Sequence, residues 1–137
     1  MKTIKIIKLK KFKRKNGTLV PINFNKKFPI KIKRIFYIYG KKNSVRGDHA
    51  HKKLTQIFIP IFGKIKLVVR RNDQEKNYFL DHKTNKAIIV PPMVWCRLKF
   101  LKKNSIILIG CNDFYKYSDY VETLKKFKKL EKKLWTY

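Results

Sequence analysis

The segment Arg46-Gly47-Asp48-His49-Ala50-His51-Lys52-Lys53, continuing through Gln56 to Gly63, places reactive side chains at a spacing that has chemical meaning. In an extended chain side chains alternate, so His49 and His51 project from one face while Asp48, Ala50 and Lys52 point the other way. Two imidazoles then look into one cavity. Imidazole, with an ordinary pKa of about 6.5, takes and gives a proton near neutrality and is also the commonest metal ligand. Acid–base catalysis and metal binding are both open to the pair.

The elements that must hold this segment read as strands. Ile4, Ile6, Ile7, Leu9 and Phe12 alternate roughly with lysines, and Lys15-Asn16-Gly17 is a turn signal that makes a hairpin with residues 18–24, interrupted at Pro21. After Pro29 a long strand carries Ile30, Ile32, Arg34, Phe36 and Ile38 on one face and Lys31, Lys33, Ile35, Tyr37 and Tyr39 on the other. Residues 54–60 and 64–70 read as strands around Ile61-Phe62-Gly63, and 78–80, 87–91, 96–100 and 105–111 as further strands; the last is a continuous apolar run suited to a buried position. Short strands with turn signals between them predict an all-β sandwich or barrel. Only the end changes period. Tyr120, Leu124, Phe127, Leu130 and Leu134 form one stripe of an amphipathic helix over about residues 119–135.

The chain has 137 residues, read as a single domain over 1–137. That length buries roughly 68–70% of the surface an unfolded chain exposes. With 44% hydrophobic and 14% aromatic residues and only five Gly and five Pro, disordered and collagen-like classes are excluded. The formal net charge of +28 is mostly lysine, concentrated toward both ends. Lys, Ile, Asn, Phe and Tyr abound together, as A/T-rich codons would deliver, so surface composition explains much of the charge; an anionic ligand or surface is the other reading. Cys96 and Cys111 form neither a C-x-x-C pair nor a disulfide-dense pattern, which fits free thiols in a reducing compartment. No apolar run approaches the roughly 18 residues of a membrane span, and residues 1–15 lack the marks of a signal peptide. A cytoplasmic protein is expected.

A His-x-His strand with a Gly beyond it resembles the first cupin motif, but Gln56 stands where that motif places a carboxylate. In the second motif, Pro91, Met93 and Cys96 occupy the Pro, Gly and His places. A cupin metal takes three imidazoles and a carboxylate, whereas two imidazoles, an amide and a thiol are on offer. A His, His, Cys zinc site is the metal alternative. The closer likeness lies in the wording of the segment. Arg46 to Lys53, preceded by Lys33-Arg34-Ile35-Phe36-Tyr37-Ile38 and followed by Gln56, Gly63, Pro91, Val94-Trp95, Asp113, Tyr115 and Asp119-Tyr120, resembles the sugar 3,4-ketoisomerases, small cupins that act on dTDP-4-keto-6-deoxyglucose. The resemblance spans Gly17 to Tyr120. It implies a cupin jelly-roll β-sandwich barrel with a short C-terminal helix, a dTDP-linked keto sugar as ligand, no cofactor, no bound metal and a homodimer. Nucleic acid is not an expected partner.

Moving a ketone from C4 to C3 requires removing the C3 proton, passing through an enediolate and delivering a proton to C4. Paired imidazoles can serve as base and acid, each role being worth typically about 10²–10⁴-fold. His51 is assigned the carbon proton and His49 the partner role, with Arg46 and Tyr37 as expected donors to the oxyanion. Arg97 is expected to contact the sugar or a phosphate. Asn16, where the family commonly shows Arg, and Cys96, where an imidazole often follows the Trp, are expected to line the sugar site with Lys33 and Gln56. Trp95 reads as core and His82 as surface. Two competing functions remain: a non-enzymatic basic cupin binding nucleic acid or another polyanion, and a metal-dependent cupin.

Overall fold

The computed structural model describes residues 3–134. Its strands are β1 (Lys5–Lys8), β2 (Phe12–Arg14), β3 (Gly17–Leu19), β4 (Arg34–Gly40), β5 (Val45–His51), β6 (Gln56–Phe62), β7 (Lys64–Arg71), β8 (Gln74–Asp81), β9 (Lys86–Val90), β10 (Trp95–Phe100), β11 (Ser105–Cys111) and β12 (Tyr120–Val121), followed by helix α1 (Leu124–Leu134). Two antiparallel sheets, ordered β1-β9-β6-β11-β4 and β12-β5-β10-β7-β8, face each other; β2 and β3 form a separate hairpin. This is the all-β architecture with a C-terminal helix that the patterning predicts.

The inner faces enclose the main core, where Phe58, Ile65, Leu67, Leu80, Leu98, Phe100, Ile107 and Ile109 are buried. Each such side chain contributes about 1.5–3 kcal/mol by leaving water. Alternation decides what faces inward. On β4, Phe36 and Ile38 pack against this core while Ile35, Tyr37 and Tyr39 stand exposed on the opposite face.

Several elements differ from expectation. The long strand expected from Ile30 begins at Arg34, so Ile30 and Ile32 do not share the inward face of Phe36 and Ile38. The strand expected over 18–24 stops at Leu19, because Pro21 breaks the ladder. The irregular chain beyond it still uses its apolar residues: Ile22, Phe28, Ile30 and Ile32 cover Ile57, Ile59, Ala87 and Ile89 on the outer face of the first sheet. The strand expected from 64 is present, but its neighbour runs on to Phe62, so the connection between them narrows to Gly63. The helix begins at Leu124 rather than near 119. Thr123 caps it, accepting the Lys126 backbone N–H at 3.3 Å. Residue 135, at the expected helix end, lies outside the described residues.

Tyr120, expected on the helix stripe, lies instead in β12, where it pairs with His51 while Val121 pairs with Ala50. Leu124, Phe127 and Leu130 do form the apolar stripe and pack on Ala50, Trp95 and Val121. Trp95 is accordingly core, as expected. Buried Glu131 accepts the Asn72 backbone N–H at 2.8 Å, tying the helix to the β7–β8 turn. The helix thereby covers the outer face of the His strand at Ala50, whereas Asp48 on that face stays exposed. No helix among the described residues is long and apolar enough to cross a membrane.

Candidate active site

Period-two alternation alone would put Arg46 and His49, three residues apart, on opposite faces. A bulge reverses this. Between β5 and β10, His49 pairs with Cys96 and Gly47 with Arg97, so Asp48 is an extra residue on the His strand. Gly47 and Asp48 both take left-handed backbone, with φ of 80° and 63°. A Cβ at Gly47 would also sit 3.2 Å from the Cys96 carbonyl oxygen, so the position suits glycine. Beyond the bulge Arg46 pairs with Leu98, an inward residue, and therefore shares the face of His49. The result is a cavity of about 420 Å³ lined by Arg46, His49, Gln56, Cys96 and Tyr120 together with apolar residues of the core.

The two imidazoles meet edge to face with ring centroids 5.0 Å apart, and the Tyr120 ring lies 4.8 Å from His49 and 4.4 Å from His51. His51 Nδ1 is 3.1 Å from Asp119 Oδ2. Asp119 is held in turn by the backbone N–H of Lys53 at 2.8 Å and of Leu54 at 3.3 Å. A neutral His51 donates to the carboxylate from Nδ1 and leaves a lone pair on Nε2, which is buried and has no hydrogen-bond partner among the described residues. Burial and the neighbouring His49 push the His51 pKa down to about 4 against the opposing pull of Asp119, with Arg34 adding to the depression. Burial also lowers His49, opposed by a hydrogen bond to the Gly47 backbone. Both rings are bases in their neutral form at neutral pH.

The structure brings together His49, His51, Arg46, Gln56 and Cys96. Gln56 Nε2 lies 3.7 Å from Cys111 Sγ, and burial pushes the Cys96 thiol up to about 12.

Four expected residues lie elsewhere. Tyr37 points out of the first sheet, 60% exposed and edge-on to Tyr39, because it alternates with the inward Phe36 and Ile38. Arg97 points to the outer face, where its Nε lies 3.0 Å from Asp48 Oδ1, an oxygen that Trp95 Nε1 also reaches at 2.9 Å. Lys33 lies in a separate depression, 3.6 Å from Asp113 Oδ1. Asn16 is in the turn of the exposed β2–β3 hairpin, which borders a depression shared with Ile59 and His82. His82, expected at the surface, is half-buried: it stacks on Phe62, and its Nδ1 lies 3.1 Å from the Gly63 backbone nitrogen.

Three site residues had no assigned role: Asp119, Tyr120 and Arg34. The first two are joined to the His pair only by the fold. Arg34 carried a signal, since strand alternation places a lone cation beside Phe36 and Ile38 on an inward face, and a buried charge is more informative than a buried apolar residue.

A metal does not fit this donor set. His51 Nδ1 is taken by Asp119, Gln56 offers a neutral amide and Cys96 is held as a thiol rather than the thiolate a metal prefers. Among the described residues no three His, Cys, Asp or Glu side chains cluster as a metal site.

Two facing antiparallel sheets with an imidazole pair between them define a cupin-type jelly roll. The chain belongs to the family described as FdtA: WxcM-like, C-terminal, whose model matches residues 2–132. It is 32% identical over 126 residues to TDP-4-oxo-6-deoxy-alpha-D-glucose-3,4-oxoisomerase of Aneurinibacillus thermoaerophilus, covering 91% of this chain and 90% of that one. The crystal structure of QdtA, a sugar 3,4-ketoisomerase from Thermoanaerobacterium thermosaccharolyticum in complex with TDP, superposes with a TM-score of 0.89 at 30% identity over 96% of each chain. The TDP-fucose-3,4-ketoisomerase WlaRA of Campylobacter jejuni superposes with a TM-score of 0.83 at 29% identity, covering 95% of this chain and 96% of that one. The chain is an isomerase.

Proposed function

We propose that the protein converts TDP-4-keto-6-deoxyglucose to the 3-keto isomer by proton transfer at the His pair. The observation that carries this reading is the His51–Asp119 contact, which orients one imidazole whose buried Nε2 has no partner among the described residues, beside His49, which lines the cavity. The relatives supply the substrate class. His51 Nε2 takes the C3 proton; the C–H pair becomes the C3=C4 bond and the carbonyl pair moves onto O4. His51 then returns the proton to C4 while C3=O3 forms. His49 accepts the O3 hydroxyl proton and delivers it to O4, so atoms and charge balance with no redox cofactor. Arg46 supplies a fixed positive charge where the oxyanion develops. A 3-ketone is the substrate an aminotransferase needs to build a 3-amino-3,6-dideoxy sugar, which is where we place the reaction.

The test is NMR of the product formed from TDP-4-keto-6-deoxyglucose, with His51→Asn and His49→Asn as controls. Wild type should give a 3-keto sugar, and each variant should lose at least about 10²-fold in turnover. If both variants keep more than about a tenth of wild-type turnover, the proton-transfer assignment fails.

We also propose a homodimer. The support is the edge strand β4, whose Ile35, Tyr37 and Tyr39 are 56%, 60% and 72% exposed, an apolar strip that a second copy would cover. A monomeric mass by light scattering at micromolar protein would count against it. The free thiols Cys96 and Cys111 fit a reducing compartment, and we place the enzyme in the cytoplasm.

A further inference from the structure

Arg34 and Tyr120 have no part in the proton transfers above, yet Tyr120 lines the same cavity and Arg34 acts on both Tyr120 and His51. Arg34 is on the inner face of β4, cross-strand from Cys111, with its Nη2 3.6 Å from Cys111 Sγ. Its guanidinium lies 5.1 Å from the Phe36 ring centroid and 5.7 Å from that of Tyr115. Its Nε is buried without a hydrogen-bond partner among the described residues. Leaving a buried N–H without a partner is costly. One use for the group is on hand: the Arg34 cation acts on the Tyr120 hydroxyl. A guanidinium can only donate, so toward it the phenol oxygen can only accept and the Tyr120 O–H stays free to donate elsewhere. Tyr120 lines the cavity beside His49, its ring within 5 Å of both imidazoles.

We propose that Tyr120 is a catalytic residue, donating a hydrogen bond to the enediolate oxygen, and that Arg34 is the positioning residue that turns the phenol O–H toward the substrate. The role rests on the isomerase reading above. As the carbonyl pair moves onto O4, the Tyr120 O–H binds that oxygen more strongly than it bound the ketone, which lowers the barrier to proton removal. Tyr120 keeps its proton throughout, and the transfers among His51, His49 and the sugar balance as before. Burial pushes the Tyr120 hydroxyl above its ordinary pKa, with Arg34 opposing, which suits a donor that does not ionise. This is the oxyanion phenol that the sequence assigned to Tyr37.

Tyr120→Phe, Arg34→Met and Arg34→Lys test the proposal by steady-state kinetics and pH profiles on TDP-4-keto-6-deoxyglucose. Tyr120→Phe keeps the ring packing and should lower kcat about 10²–10³-fold with KM little changed. Arg34→Met should lower kcat as well, and Arg34→Lys should recover part of it. The groups facing His51 are His49 from β5, Asp119 from the turn before β12, Tyr120 from β12 and Arg34 from β4. Because the Arg34 cation opposes protonation of His51, Arg34→Met should move the acid limb of kcat/KM to higher pH, while Tyr120→Phe leaves that limb in place. A Tyr120→Phe enzyme with more than about a tenth of wild-type kcat would overturn the catalytic role. An Arg34→Met enzyme with more than about a tenth of wild-type kcat would overturn the positioning role, and that variant probes the pair independently of whether Tyr120→Phe folds. A wild-type protein that leaves the keto sugar unchanged would sink the isomerase reading and this role together, whereas an active wild type with an active Tyr120→Phe sinks only the role.

Discussion

His51 and Asp119, 68 residues apart in the chain, stand 3.1 Å apart between Nδ1 and Oδ2. The pairing of β12 with β5 makes the contact, and the Lys53 and Leu54 N–H groups fix the carboxylate. An imidazole so held keeps one orientation and one tautomer, with a buried Nε2 that has no partner among the described residues.

Asp119→Asn should therefore leave the fold in place but lower kcat by roughly 10²–10⁴-fold, because an amide no longer selects the tautomer with a free Nε2. TDP affinity, measured by calorimetry, should change little. A variant with near-wild-type turnover would show that the carboxylate is structural.

Stability should fall in mild acid. His51 titrates near 4 in the fold and near its ordinary value of about 6.5 when unfolded, so the unfolded chain takes up the proton first as pH drops. The contribution is fully present above about pH 6.5 and is lost progressively down to about 4, amounting to up to about 3 kcal/mol. Urea midpoints of wild type and His51→Asn at neutral and acidic pH read it out. Equal losses in the two proteins would mean that His51 is not shielded from protonation.

Gly47→Ala should be costly twice over. A side chain at φ of 80° costs about 1–2 kcal/mol, and its Cβ would press on the Cys96 carbonyl. Flattening the bulge would also turn Arg46 away from His49, so kcat/KM should fall even where the protein stays folded. Gly47→Asn, which tolerates left-handed backbone better, should be the milder change by both thermal melting and kinetics.

Activity should survive exhaustive treatment with chelator, because both imidazoles must be free to exchange protons and the surrounding amide and thiol suit a metal poorly. Activity lost to chelator and restored by Zn²⁺, Mn²⁺ or Fe²⁺ would instead assign His49, His51 and Cys96 to a metal acting as Lewis acid.

Local chemistry in the sequence determined much of this protein. Alternating side chains are a property of any strand, so the all-β class, the shared face of His49 and His51 and the separate faces of Phe36 and Tyr37 were legible before any tertiary contact. The apolar stripe of Leu124, Phe127 and Leu130 announced the helix in the same way, because its period differs from that of a strand. The resemblance carried by Arg46 to Lys53 pointed to the family.

Only the tertiary structure decided which strand faces look into the cavity. Tyr37 was placed with the catalytic groups although its own alternation sets it opposite Phe36, and only sheet packing shows that the Phe36 side is the inner one. Arg97 faces outward to Asp48 while Arg46 faces inward because one inserted residue at the Gly47–Asp48 bulge rephases the strand, a shift that depends on the pairing with β10. Asp119 and Tyr120 reach His51 because β12 pairs with β5, drawing Tyr120 out of the helical stripe that its spacing suggested. Side-chain period is local and can be read along the chain; register and the choice of inner face arise from partners far away in sequence, and they exist only once the sheets have closed.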